Sequence, residues 1–206
     1  METGETRGDI AGGGFPRVPG PAQEAELPGA PGAREDPPAP HGTTPRTALP
    51  VRPTDRVVRA GCQLLAGLWR LTGLRRASAA LRHYLAGTGA PFPLDAATLA
   101  ALPPVRAAVN ARLMEAEAGR WTGTDDWRGV RITPSTSVDW WLAVRGVQYR
   151  VVRPNPRYYR VEFRKSWNFD PAGSGCGIPF TPFARLHATG LAHAYVAAGR
   201  TGYLPR

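Results

Sequence analysis

Lysine is almost missing from this chain: of its 26 basic residues, all but Lys165 are arginine. Arginine in excess, beside abundant Ala, Gly and Pro, is what a GC-rich genome imposes on any protein. The positive charge alone therefore does not name a polyanion as partner. Cysteine is scarce as well. Cys62 and Cys176 lie far apart without metal-like spacing, which excludes a disulfide framework or a thiolate zinc site. Cys62, beside Leu64 and Leu65, reads as a small buried residue and Cys176 as a loop thiol, with one long-range disulfide between them as the alternative. Long apolar runs are absent too. The longest, residues 61–69, is too short to span a bilayer and is bounded by Arg59 and Arg70. Residues 1–30 hold no secretory apolar core, and their first charges, Glu2 and Glu5, are acidic. The expectation is a cytoplasmic protein without a transmembrane segment, with export by a route lacking a standard signal left open. There is no Walker loop, no GxGxxG after a strand, no His-Glu-x-x-His, no GxSxG and no CxxC. No cofactor and no metal are expected.

What is present divides into two compositions. In residues 1–53 the large apolar residues after the initiator are Ile10, Phe15, Val18, Leu27, Leu49 and Val51, scattered among Gly, Pro, Glu and Ala. Such a segment cannot bury enough surface to offset the entropy of ordering, so a disordered tail is expected there. Residues 54–206 read as a single domain. The tail carries five Arg against seven acids, a net of −2; the domain carries twenty Arg and one Lys against nine acids, a net of +12. That imbalance makes a polyanion or an acidic protein the partner to consider.

Periodicity predicts an α+β fold. A helix capped by Thr54 or Asp55 and ended by Gly73 has Val57, Gly61, Leu64, Leu65, Leu68 and Leu71 on one face, expected to be the buried one. A second, over 74–86, buries Leu74, Ala77, Leu81, Tyr84 and Leu85 and leaves His83 solvated. Asp95 caps a short helix, and Pro104 opens another that Gly119 closes, with Val105, Ala108, Val109 and Leu113 inward. The period then changes to two. Residues 138–145, 147–152 and 158–164 alternate apolar with polar as strands, and 127–132 reads as a weaker one. A last helix is expected over 182–198. The expected architecture is N-terminal helices packed on a three- to four-stranded antiparallel meander, closed by a C-terminal helix.

Two constellations could carry chemistry. The first is Ser166–Trp167–Asn168–Phe169–Asp170 leaving the last strand, followed by a helix that puts His187 among Phe183, Leu186 and Leu191. A buried imidazole near a carboxylate can move a proton near neutral pH, so Asp170, His187 and Asn168 are the candidate acid or base, partner and orienter. The plainer alternative is a core histidine making one hydrogen bond. His187 and His193, six residues apart on one helix, would point away from each other and could not chelate a metal together. The second constellation is the sheet itself. Arg150, Arg160 and Arg164 interleave with Tyr149 and Tyr158, the arrangement by which sheets bind single-stranded nucleic acid, and equally that of an ordinary sheet with one wet face.

Five short motifs occur in order: His83–Tyr84–Leu85 with Gly87 and Gly89; Asp139–Trp140–Trp141–Leu142–Ala143; Trp167–Asn168–Phe169–Asp170; Leu186–His187 with Gly190–Leu191–Ala192; and Gly199–Arg200–Thr201. Over residues 79–201 the chain resembles a group of uncharacterised actinobacterial proteins and the C-terminal modules of polymorphic-toxin-type proteins. The resemblance implies an α+β module and a role outside the cytosol, and transfers no catalytic residue. Three functions are therefore weighed: an effector- or toxin-like module, a nucleic-acid-binding module, and a non-enzymatic protein-interaction domain.

Overall fold

The computed structural model describes residues 49–169, 174–175, 178–179 and 181–206. Helix α1 (Pro53–Leu71) begins with Pro at its first position, where the missing N–H costs nothing. Its cap residue is Arg52 rather than Thr54 or Asp55. The Asp55 carboxylate accepts the Arg52 N–H at 2.8 Å and a forked pair of bonds from Arg185, at 2.7 and 3.1 Å. Helix α2 (Arg75–Ala86) ends where Gly87 adopts a left-handed backbone, φ +71°. After a two-residue strand β1 (Phe92–Pro93), the Asp95 side chain accepts the Thr98 N–H and starts α3 (Ala96–Ala100). Helix α4 (Pro103–Ala118) buries Val105, Val109 and Leu113 and is capped at Gly119.

Two short strands follow, β2 (Gly123–Thr124) and β3 (Arg128–Arg131). The stretch expected as a strand over 138–145 is instead helix α5 (Val138–Val144). Seven residues of apolar–polar alternation satisfy either period, and the packing partner decides. Trp140, Ala143 and Val144, spaced as i, i+3 and i+4, are the buried set. The Ser137 hydroxyl caps the helix by accepting the Trp140 N–H at 3.3 Å.

The long hairpin β4 (Gly146–Asn155) and β5 (Tyr158–Trp167) is antiparallel as expected, with Arg150 opposite Glu162 and Tyr149 opposite Phe163. A small ladder pairs β6 (Ser174–Gly175) with β7 (Ile178–Pro179). The closing helix is much shorter than expected: α6 (Thr181–Ala188) stops before Gly190, φ +74°. The chain then turns into β8 (Tyr195–Arg200), antiparallel to β5 and parallel to β1, and ends with β9 (Leu204–Pro205) on β5. The result is one mixed seven-stranded sheet in the order β1–β8–β5–β4–β2, with β3 also on β4, in place of a meander of three or four strands.

All six helices among the described residues contribute buried residues to two clusters on one sheet face. One joins α3, α4 and α5 to Val147, Tyr149, Val151, Val161 and Phe163; the other joins α1, α2 and α6 to Tyr195 and Ala197. The opposite face, with Gln148, Arg150, Arg160, Glu162, Arg164 and Arg200, carries no helix among the described residues. Helix α1 departs from its expected orientation. It packs through Cys62 and Ala66, with the Ser78 hydroxyl donating to the Ala66 carbonyl at 2.6 Å. Val58, Leu65 and Trp69 pack beside them, so of the expected face only Leu65 is turned in, while Val57, Leu64, Leu68 and Leu71 are 71%, 76%, 55% and 87% exposed.

Candidate functional site

The segment leaving β5 does run onto the helix that carries His187. The Trp167 indole N–H donates to the Ala143 carbonyl, and its ring stacks on Tyr195 at 5.5 Å. Phe169 stacks on Phe183 of α6 at 4.6 Å and meets Tyr84 edge-on at 4.9 Å. The Tyr84 hydroxyl in turn donates to the Phe183 carbonyl at 2.7 Å. Alternation past the strand therefore holds: Trp167 and Phe169 enter an aromatic cluster while Asn168 is exposed. Asp170 and Cys176 lie outside the described residues; Cys62 is a buried free thiol whose pKa burial raises.

Phe183 precedes His187 by one helical turn. The imidazole is half-buried rather than central to a buried stripe, because the helix that would have continued that stripe ends one residue later. Loop 189–194 folds back over it. Leu191 and Ala192 N–H groups both donate to the Leu186 carbonyl, and the Ala194 N–H donates to His187 Nδ1 at 3.2 Å. A neutral ring bonded in this way carries its proton on Nε2. Burial, with the nearby His193 charge, lowers the His187 pKa below its ordinary 6.5, against an opposing backbone hydrogen bond at Ala192.

His193 was expected to point away from His187. It sits off the helix instead, with its ring edge-on to His187 at 5.1 Å and its N–H bonded to the Tyr84 carbonyl. Gly89 lies against it: a side chain there would bring a carbon to 3.3 Å from His193 Nδ1. His83, expected in solvent, is half-buried. Its Nε2 is 2.7 Å from the Ala90 carbonyl, and its ring meets Tyr195 and Phe92, because β1 runs parallel to β8 beside α2. Three of the chain's four histidines thus gather around two turns, 87–90 and 189–194. Neither turn showed any periodicity that would have paired them. Among the described residues no three His, Cys, Asp or Glu side chains converge as a metal site.

A cavity of about 160 Å³ opens on the other side of Trp167, floored by Trp140, Trp167 and Tyr195 and rimmed by Arg76 and Asp95. Arg76 is held there by Asp95 and Asp139 and lies over the Trp140 ring. The sheet constellation divides. Tyr149 is buried with its hydroxyl on the Ala108 carbonyl, so it cannot stack on a base; its register position faces the helices. Tyr158 is exposed at the hairpin end. Arg150 and Arg160 share Glu162 at 2.7 and 2.8 Å. Arg164 donates to Gln148 at 2.6 Å, and both Arg150 and Arg164 lie over Trp127.

No family model and no curated protein matches the chain. Among solved structures, PaeM, a colicin M-like bacteriocin produced by Pseudomonas aeruginosa, is a distant neighbour at 19% identity and a TM-score of 0.35. The match covers 63% of this chain and spans about half, 49%, of that one.

Proposed function

We propose that residues 54–206 form an acid–base catalytic module of the effector or toxin type, behind a tail of residues 1–53 through which it is delivered or displayed. In this reading His187 moves the proton, Asp170 is its acidic partner and Asn168 orients the reacting group. The observation that supports it is the stacking of Phe169 on Phe183, which carries the polar exit of β5 onto the helix of an accessible, neutral imidazole. The Ala194 N–H holds its Nδ1, and the ring is only half-buried. Induced expression tests it. His187→Ala and Asp170→Ala are each expected to abolish growth inhibition while shifting Tm by less than about 3 °C, under ~1 kcal/mol for a domain of this size. Inhibition that survives either change, or is lost only with unfolding, ends the proposal.

A second reading rests on the open sheet face, where Arg131, Arg150, Arg160, Arg164 and Arg200 surround Glu162, the one acid there among the described residues, and Trp127 offers a ring. Phosphate binding by arginines with base stacking on Trp127 would use that face without Tyr149.

A further inference from the structure

The largest unexplained surface feature is the outward face of α1. Taking 100° per residue, Val57, Gly61, Leu64, Leu68 and Leu71 fall within one narrow arc opposite Cys62 and Ala66, which are the buried apolar residues of the helix. Nothing in the described fold covers them. Exposed apolar residues scattered singly need no explanation, but four large ones aligned over four turns do.

The charges beside this stripe are all of one sign. Arg56 and Arg70 are exposed on one flank, and Arg75 and Arg82 are exposed on α2 next to it. The acid of α1, Asp55, is buried against Arg185 and contributes no negative charge to this surface. Farther round α1, with its Arg59 wall about 160° from Val57, lies a groove of about 370 Å³ lined by Arg59, Gln63, Arg82, Leu85 and Ala86. One nitrogen of Arg59 donates to the Leu85 carbonyl, while its buried Nε has no hydrogen-bond partner among the described residues. Two guanidiniums and an amide lining one groove make a seat for an oxyanion.

An apolar stripe flanked by arginines matches an amphiphile with an anionic head. A second copy of the chain fits poorly, because face-to-face pairing would bring Arg56 and Arg70 of one copy against those of the other. We propose that α1 docks on anionic bilayers, laying Val57, Leu64, Leu68 and Leu71 into the interface while Arg56 and Arg70 reach lipid phosphates from the flank. The helix lies on the membrane rather than through it: no described helix is long and apolar enough to cross. This inference does not depend on the acid–base reading.

Vesicle co-sedimentation of the full chain tests it. The wild type is expected to bind phosphatidylcholine vesicles containing about 30% phosphatidylglycerol and to leave pure phosphatidylcholine vesicles largely unbound. Leu64→Glu/Leu68→Glu and, separately, Arg56→Gln/Arg70→Gln are each expected to weaken binding roughly tenfold or more. All four positions are exposed, so unchanged circular dichroism melts are expected in both variants. Arg150→Gln/Arg164→Gln removes the same charge from the sheet face and should leave vesicle binding within about twofold. Equal loss in that variant would mean that net charge alone attracts the lipid and would overturn the proposal. So would unaltered binding of the leucine variant, or a dimer in sedimentation velocity that the leucine variant abolishes.

Discussion

His187 shows how one residue's neighbours decide its charge. Burial penalises the imidazolium, and the His193 ring 5.1 Å away adds repulsion, so the folded pKa falls below 6.5. As the pH drops below 6.5 the unfolded chain takes up a proton that the folded ring resists. Stability is therefore lost from pH 6.5 down to the lower folded pKa, and the ring is neutral at pH 7. An NMR titration of the His187 ring should give a midpoint below the ordinary histidine value, and His193→Gln should move it upward. A midpoint unchanged in that variant would show that the two rings are not electrostatically linked. Asp55 shifts in the same direction for the opposite reason: the Arg185 guanidinium and the Arg52 N–H favour its charged form and hold its carboxyl below the usual 3.8, stabilising α1 against α6 until acid protonates it.

At the scale of elements, the helices share apolar clusters, and one link between them is hydrogen bonding to orphan backbone groups. The first N–H groups of α2 have no partner within the helix. Asp139 of α5 supplies one, its carboxylate accepting the Ala77 N–H at 2.8 Å and the Arg76 N–H at 3.2 Å. A residue more than sixty positions away thus does the work of an N-cap. Asp139→Ala should cost about 1–2 kcal/mol and lower Tm by roughly 3–6 °C in a thermal melt, whereas Asp139→Asn should recover part of the loss. No change in the melt would mean that water serves those N–H groups equally well. The same carboxylate explains why 138–144 is a helix: as a strand, alternation would place Asp139 away from Trp140, whereas in α5 its first-turn position points it at α2.

At the scale of the molecule, charge is sorted by face. The helical side is sealed by two apolar clusters and the other sheet face is left to arginine. If that face binds single-stranded RNA through about three phosphates, affinity should fall one to two orders of magnitude between roughly 50 and 200 mM salt. Fluorescence anisotropy at both salt concentrations reads this directly, and absent or salt-indifferent binding removes the second reading.

Local chemistry was legible without coordinates. Asp95 and Gly87 mark their helix ends, Val105, Val109 and Leu113 face inward, and β4 and β5 alternate, because each of these depends on residues within a few positions. The β5 exit toward α6 was legible in part, since the alternation of Trp167, Asn168 and Phe169 continues past the strand. What only the tertiary structure decided involves distant partners. Sheet pairing with β5 claimed residues 195–200 that a helix could also have used, and brought His193 to His187. Close approach to Ser78 turned Cys62 and Ala66 of α1 inward beside Leu65 and left Val57, Leu64, Leu68 and Leu71 out, although the helix's own pattern favoured burying them. Periodicity finds an apolar face, but burial belongs to whichever face a neighbour can approach most closely.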